Sequence, residues 1–338
     1  MPVSKTLDEK LRRLRAGTAT RRDFILADAK DGDMAFGVTT PGPHASGRWR
    51  SLEDYRMQIR EIVRERLVDI MLLSVSNLEQ LAIKERLFAD SPVTPAARAN
   101  DTTDIWMVRG GVYPQRPSRP FRTAAIEHIL HGRLGSTAGE PVTGADLGLY
   151  SLTFTNEVER DLETVEAFRE FRIEAEQKRF RYFLEVFNPN VGTVRVDQIG
   201  EFLNDHIIRV LAGVPTAARP LFLKIPYNGP AALEELVAYD PNLIVGILGG
   251  GAGTTRDAFQ LIHDAQHHGA RVALFGRKIN LSEHPLTFVA FLRRIVDGEI
   301  EPAEAVRAYH GELAKLGVKP HRPLARDLQR TPVARKPR

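Results

Sequence analysis

Residues 221–226 (LFLKIP), 243–248 (LIVGIL) and 271–275 (RVALF) are three short apolar runs separated by two stretches of helical spacing, 231–238 (AALEELVA) and 255–268 (TRDAFQLIHDAQHH). Runs of this length, rich in branched residues and alternating with helices, predict buried parallel strands joined by crossover helices. The punctuation agrees. Thr254 and Thr255 precede the second helix as a capped start, and Gly269 follows His267 and His268 as a C-terminal glycine. Working outward, the same alternation extends towards the N-terminus. Further strand-like runs occupy 24–27, 68–74, 105–109, 146–154 and 182–187, with helical spacing over 51–66, 78–89, 123–131, 157–178 and 196–211. Eight strands alternating with helices predict a closed (βα)8 TIM barrel rather than an open sheet, and such barrels carry their chemistry at the C-terminal ends of the strands.

This divides the chain into a polar extension (1–22), a barrel domain (23–300), a C-terminal helix (301–317) and a basic tail (318–338). Helices over 285–297 and 302–313 either complete the barrel or mediate association. The proline-rich stretch 110–120, GGVYPQRPSRP, is too long for a plain connection and reads as an active-site flap or an oligomer contact.

The chain has 338 residues, of which 43% are hydrophobic, enough for a sizeable core. No run approaches the roughly 18 apolar residues of a membrane helix, and the polar start has no apolar stretch of the kind that signal peptides carry. A cytoplasmic protein with no membrane contact is expected. The absence of cysteine excludes disulfides, thiolate metal ligands and a cysteine nucleophile. The net charge of +4 is small, and the basic cluster 322–338 reads as a solvated tail, so no nucleic-acid partner is expected.

The chemistry is concentrated on three predicted strands. Lys224 lies among Leu, Phe and Ile, where burial disfavours an ammonium and favours a nucleophilic amine. Two glycine-bearing strand ends follow, Gly249-Gly250-Gly251 and Gly276-Arg277, each suited to holding an anion on backbone amides. On the preceding strand Glu185 shares the face of Phe183 and Phe187 by alternation. One amine and two anion cradles point to Schiff-base chemistry on a phosphorylated substrate.

The order of the motifs Asp28-Ala29-Lys30, Phe183-Leu184-Glu185-Val186, Leu223-Lys224-Ile225-Pro226, the seventh-strand glycines and Gly276-Arg277 resembles the class I aldolases. The resemblance spans residues 24–296. It includes the archaeal-type fructose-bisphosphate aldolases and, closer, the tagatose-bisphosphate and sulfofructose-phosphate aldolases. It implies a metal-independent, cofactor-free lyase and a homo-oligomer, acting on a phosphorylated sugar or ketone. Lys224 would form the Schiff base, Glu185 would move protons, and Asp28 and Lys30 would hold substrate hydroxyls or a phosphate. Gly249, Gly250, Gly251, Gly276 and Arg277 would bind phosphate.

One departure concerns the second phosphate. The sugar-bisphosphate aldolases place another lysine after the fourth strand, and residues 144–154 here contain none. Either Lys30 or Arg109, read as the end of the third strand, supplies the second cation, or the substrate carries a single anion. Three acids, Asp28, Asp31 and Asp33, surround Lys30. Alternatives to the aldolase reading are a Schiff-base transferase or isomerase on the same barrel, or a barrel that binds sugar phosphates without catalysis. His263, His267 and His268 read as a solvated helix face, His44 as a loop residue near the first strand, and Asp101 and Asp104 as loop and strand-entry residues.

Overall fold

The computed structural model describes residues 3–44, 47–137, 139–251 and 253–331. Eight parallel strands form one sheet: β1 (Ile25–Lys30), β2 (Ile70–Leu73), β3 (Thr94–Arg98), β4 (Leu147–Thr153), β5 (Arg181–Phe187), β6 (Leu223–Lys224), β7 (Gly246–Leu248) and β8 (Val272–Phe275). Each pairs with its chain neighbour except β6 and β7, while β8 pairs with β1. The ring closes between β6 and β7 through a parallel bridge, Ile225 to Ile247, with Leu248 N–H donating to the Ile225 carbonyl at 2.9 Å. This is the expected TIM barrel.

Helices α1 (Thr6–Arg15), α2 (Leu52–Arg64), α3 (Ile126–His131), α4 (Val158–Gln177), α5 (Ile199–Leu211), α6 (Pro230–Tyr239), α7 (Thr255–His267), α8 (Pro285–Val296) and α9 (Pro302–Lys315) accompany the strands. Strand alternation splits the core in two. Leu26, Met71, Tyr150, Leu152, Leu184 and Val186 pack outward against the helices. Ile25, Ala27, Leu72, Ala96, Leu147, Leu149, Phe183 and Phe222 fill the barrel interior. Phe183 and Phe222 stack with centroids 4.7 Å apart, forming an apolar layer one residue pair below Glu185 and Lys224.

The structure corrects the sequence reading in three places. The third strand is residues 94–98, not 105–109; the latter segment is a loop that begins with a single 3-10 turn, Thr103–Ile105. The polar N-terminal extension forms α1, whose Leu7 and Leu11 insert into the barrel interior and close its N-terminal end. Most of the tail to residue 331 is exposed, but it is anchored at two points. Asp327 accepts from Thr255 N–H at 2.8 Å, and Thr331 Oγ1 donates to Asp257 at 2.6 Å, so both dock on the start of α7. The last basic residues of the tail, 332–338, lie outside the described residues.

Candidate active site

The inward residues above the Phe183/Phe222 layer are charged, and they converge at the C-terminal end of the barrel. Lys224 ends β6 and is 6% exposed; its Nζ lies 2.6 Å from Glu185 Oε1. The register of the two strands sets this pair side by side. Glu185 Oε2 accepts from Ser151 Oγ at 2.8 Å, across the β4–β5 ladder. Arg98, ending β3, donates from Nη1 to Ser151 Oγ at 3.0 Å and reaches Glu185 Oε2 at 3.5 Å. Its Nε donates to Asp31 at 2.5 Å. The result is a continuous chain, Asp31, Arg98, Glu185, Lys224, in which every charge faces an opposite one. Such pairing is what allows ionised groups to be retained at this depth.

A cavity of about 260 Å³ opens above this chain, lined by Asp31, Arg98, Glu185 and Lys224 on its polar side. Gly249, Gly250, Gly276 and Arg277 line it where β7 and β8 end. Gly249 is required by packing, since a Cβ there would fall 2.2 Å from the Phe275 ring, and Gly250 adopts a φ of +60°. Gly251 stands behind the cavity, against the Arg277 side chain. The Arg277 guanidinium lies 5.7 Å over the Phe36 ring, and among the described residues no carboxylate is within salt-bridge reach of it. The remaining lining is largely apolar, with Phe36, Trp49, Ile105, Met107, Phe187 and Leu281 its large side chains and Thr39, Thr40 and Asn280 its neutral polar ones.

Besides Gly251, three sequence-predicted residues are not part of this cavity. Asp28 and Lys30 alternate with Ala27, Ala29 and Asp31, so they leave β1 on its outer face and are wholly buried between the strand and the helices. Lys30 Nζ lies 3.4 Å from Asp28 Oδ2, donates to Asn280 Oδ1, and stands over the Tyr55 ring. Burial pushes the Asp28 carboxyl up to about 6, opposed by Lys30, and pushes the Lys30 amine down. The pair braces the segment that carries Arg277 through Asn280, which lines the cavity, and does not itself line it. Arg109 is exposed on the loop after residues 103–105 and does not line the cavity, because the strand it was assigned to does not form.

Sequence reading missed Arg98 and Ser151 as members of the site and named Asp31 only as one of three acids around Lys30. The signal for Ser151 and Asp31 was present in alternation, two residues beyond Leu149 and Ala29 respectively. The stretch 110–120 is anchored beside the mouth. Asn190 Nδ2 donates to the Pro114 and Arg116 carbonyls, and Ser118 Oγ donates to buried Asp104 at 2.7 Å. The histidines of α7 pair with surface acids, His268 with Glu234 and His263 with Asp264. His44 is exposed, 3.4 Å from Asp54.

A buried lysine and glutamate on adjacent strands, with glycine-lined strand ends beyond them, is an arrangement that solved structures can be compared with directly. The chain shares its fold with the archaeal-type fructose-bisphosphate aldolases. A crystal structure of an archaeal fructose 1,6-bisphosphate aldolase matches with a TM-score of 0.61 and 17% identity, over 86% of this chain and 99% of its own. A structure of an archaeal fructose-1,6-bisphosphate aldolase with its catalytic lysine covalently bound to the carbinolamine intermediate matches at 0.60 and 17% identity, over 86% and 99%. The fructose-bisphosphate aldolase from Slackia heliotrinireducens matches at 0.61 and 14% identity, over 90% and 91%. No protein-family profile and no curated protein sequence matches the chain. Among the described residues no helix is long and apolar enough to cross a membrane. At these identities the aldolase likeness is one of fold, and the site must be argued from its own residues.

Proposed function

We propose that the protein is a class I aldolase that makes or breaks a carbon–carbon bond in a ketose phosphate or related hydroxy-ketone through a Schiff base on Lys224. The observation that carries this reading is the Lys224–Glu185 contact of 2.6 Å at the floor of a cavity whose rim holds glycine amides and Arg277. The carbinolamine captured on the catalytic lysine of a structurally similar archaeal aldolase supports it.

Transfer of the Lys224 ammonium proton to Glu185 frees the amine lone pair beside the acid it has just formed. The amine adds to the ketone carbon, giving a carbinolamine after proton transfer to oxygen. Glu185 then returns its proton to that hydroxyl, which departs as water and leaves the iminium. With the carboxylate restored, Glu185 can take the proton of the hydroxyl beyond the bond to be broken. The C–C electrons flow to the iminium nitrogen, an aldehyde leaves, and an enamine remains. Protonation of the enamine carbon and addition of water release the ketone and restore Lys224. Ser151 and Arg98 hold Glu185 Oε2, so its Oε1 stays directed at the amine throughout. Orientation of this kind supplies much of the advantage of a bound reactant. The amides at the ends of β7 and β8, with Arg277, take the phosphate.

The test is borohydride reduction in the presence of dihydroxyacetone phosphate, followed by intact mass and peptide mapping. One reduced adduct per chain on Lys224 is expected. Lys224→Met should abolish it and lower turnover by at least about 10³-fold. An adduct on another lysine, or undiminished turnover by the Lys224→Met protein, would overturn the reading.

A further inference from the structure

We infer that the substrate carries one phosphate only, on the ketone half, and that the aldehyde half is unphosphorylated with an apolar body. This rests on the aldolase reading above and specifies the substrate class of that site. The first observation is charge. In the cavity lining Asp31 and Glu185 offset Arg98 and Lys224 in the ion-pair chain, leaving Arg277 as the single cation of the described lining without an acidic partner. A phosphate monoester carries roughly 1.5 to 2 negative charges near pH 7. Arg277 with the backbone at Gly250 and Gly276 can compensate one such group, the Gly249 N–H being held by the Leu274 carbonyl at 2.8 Å, and a second would have no counter-charge.

The second observation is where the other candidate cations are. Lys30 is wholly buried on the outer face of β1, closed off from the cavity, and Arg109 is exposed on a loop outside it. Arg98 is spent on Asp31 at 2.5 Å and on holding Glu185. Drawing Arg98 to a phosphate would leave Asp31 buried without its partner, which is strongly unfavourable.

The third observation is the chemistry of the walls. Beyond the charged floor and the cradle the walls carry the large apolar side chains Phe36, Trp49, Ile105, Met107, Phe187 and Leu281, with Thr39, Thr40 and Asn280 as their neutral polar members. A dianion against the apolar side chains would lose hydration without gaining hydrogen bonds, and Thr39, Thr40 and Asn280 carry no counter-charge, whereas an apolar chain or ring would gain by leaving water. Trp49, Met107 and Leu281 remain 43%, 36% and 48% exposed. A bound aldehyde would cover them.

In the condensing direction the enamine on Lys224, formed from dihydroxyacetone phosphate by loss of water and one C–H proton, attacks the aldehyde carbon. One C–C bond forms, the aldehyde oxygen takes a proton from Glu185, and water releases the product. With dihydroxyacetone phosphate held constant, the unmodified protein is assayed with glyceraldehyde 3-phosphate, glyceraldehyde and butanal, and each product is followed by mass. The two phosphate-free aldehydes are expected to exceed glyceraldehyde 3-phosphate in kcat/KM by at least about tenfold, equivalent to 1.4 kcal/mol. Borohydride trapping on Lys224 is run in parallel. A Lys224 adduct together with equal or better use of glyceraldehyde 3-phosphate would overturn this inference and leave the aldolase reading standing. Absence of the adduct would overturn both.

Discussion

Asp101 shows at one residue what the charged end of the barrel costs. It is 3% exposed, and its Oδ1 has no hydrogen-bond partner among the described residues. Burial pushes its carboxyl up to about 6 from an ordinary 3.8; Arg98 opposes the rise, while Asp31 and Asp33 add to it. Because the folded value is above the unfolded one, the native state keeps a proton between about pH 4 and 6 that the unfolded chain has released. Stability therefore falls as pH rises through that window and levels off above it. A rise of about two at about 1.4 kcal/mol each sets an upper figure of about 3 kcal/mol. Asn has the same shape and cannot ionise. Asp101→Asn should therefore be more stable than the parent at pH 7.5, by about 1–3 kcal/mol, with the gap closing near pH 4. Urea unfolding at the two pH values reads this directly, and a variant less stable than the parent at pH 7.5 would refute it.

Among the elements, α1 is the one whose role composition conceals. Leu7 and Leu11 are one helical turn apart and are 0% and 2% exposed inside the barrel floor, beside Ile25, Leu147 and Phe222. Leu11→Ala would leave a cavity there that the surrounding strands cannot fill, so a loss of about 2–4 kcal/mol is expected in chemical unfolding. A loss under about 0.5 kcal/mol would mean that α1 does not plug the floor in solution. The leucine spacing was present in the sequence, but nine Lys, Arg, Asp and Glu residues among the first 22 obscured it. The barrel itself was legible because parallel strands buried on both faces read as continuous apolar runs. That property also misled. Residues 105–108 (IWMV) have the right composition but form part of the cavity rim, whereas the true third strand, TPAAR, is built of small residues with a proline. Small residues suit a crowded barrel wall, and a proline argues against a strand in isolation. Misplacing that strand hid Arg98 and promoted Arg109. In β1 the motif was located correctly but read in the wrong phase: Asp28 and Lys30 face the helices, and Asp31 faces the cavity. Lys224 and Glu185 were legible because a charge inside an apolar strand is costly to bury and persists only where an opposite charge meets it or chemistry uses it.

At the scale of the whole molecule the two ends of the barrel divide the work. The C-terminal end holds the Lys224–Glu185 pair and the cavity. The N-terminal end holds a second buried ionic group, Asp69, which ties distant parts of the chain together. Its carboxylate is 2.8 Å from Lys10 of α1 and 2.7 Å from Arg293 of α8, and it also accepts from Leu26 N–H of β1 at 2.9 Å. Burial alone would raise this carboxyl, but Arg293 and Lys10 bring it below its ordinary value. The linkage therefore has the opposite sign from that of Asp101. The contribution is complete above the unfolded value near 4 and is lost as pH falls through the lower folded value. Asp69→Ala leaves buried Lys10 without its acid and half-buried Arg293 with only Asp297 at 3.5 Å, and breaking a buried pair in this way costs about 3–5 kcal/mol. An unfolding entropy of about 2.1 cal/mol/K per residue puts the drop in Tm at about 4–7 °C for a chain of this length. Both cations lie at the floor, with the apolar interior between them and Lys224, so kcat/KM at 25 °C should stay within about twofold of the parent while Tm falls. Calorimetry and steady-state assay of the same preparation test both halves of the expectation. A Tm unchanged to within about 1 °C would remove Asp69 as a staple of the two chain ends, and a kcat/KM reduced more than about tenfold would show that the floor and the site are coupled through the barrel.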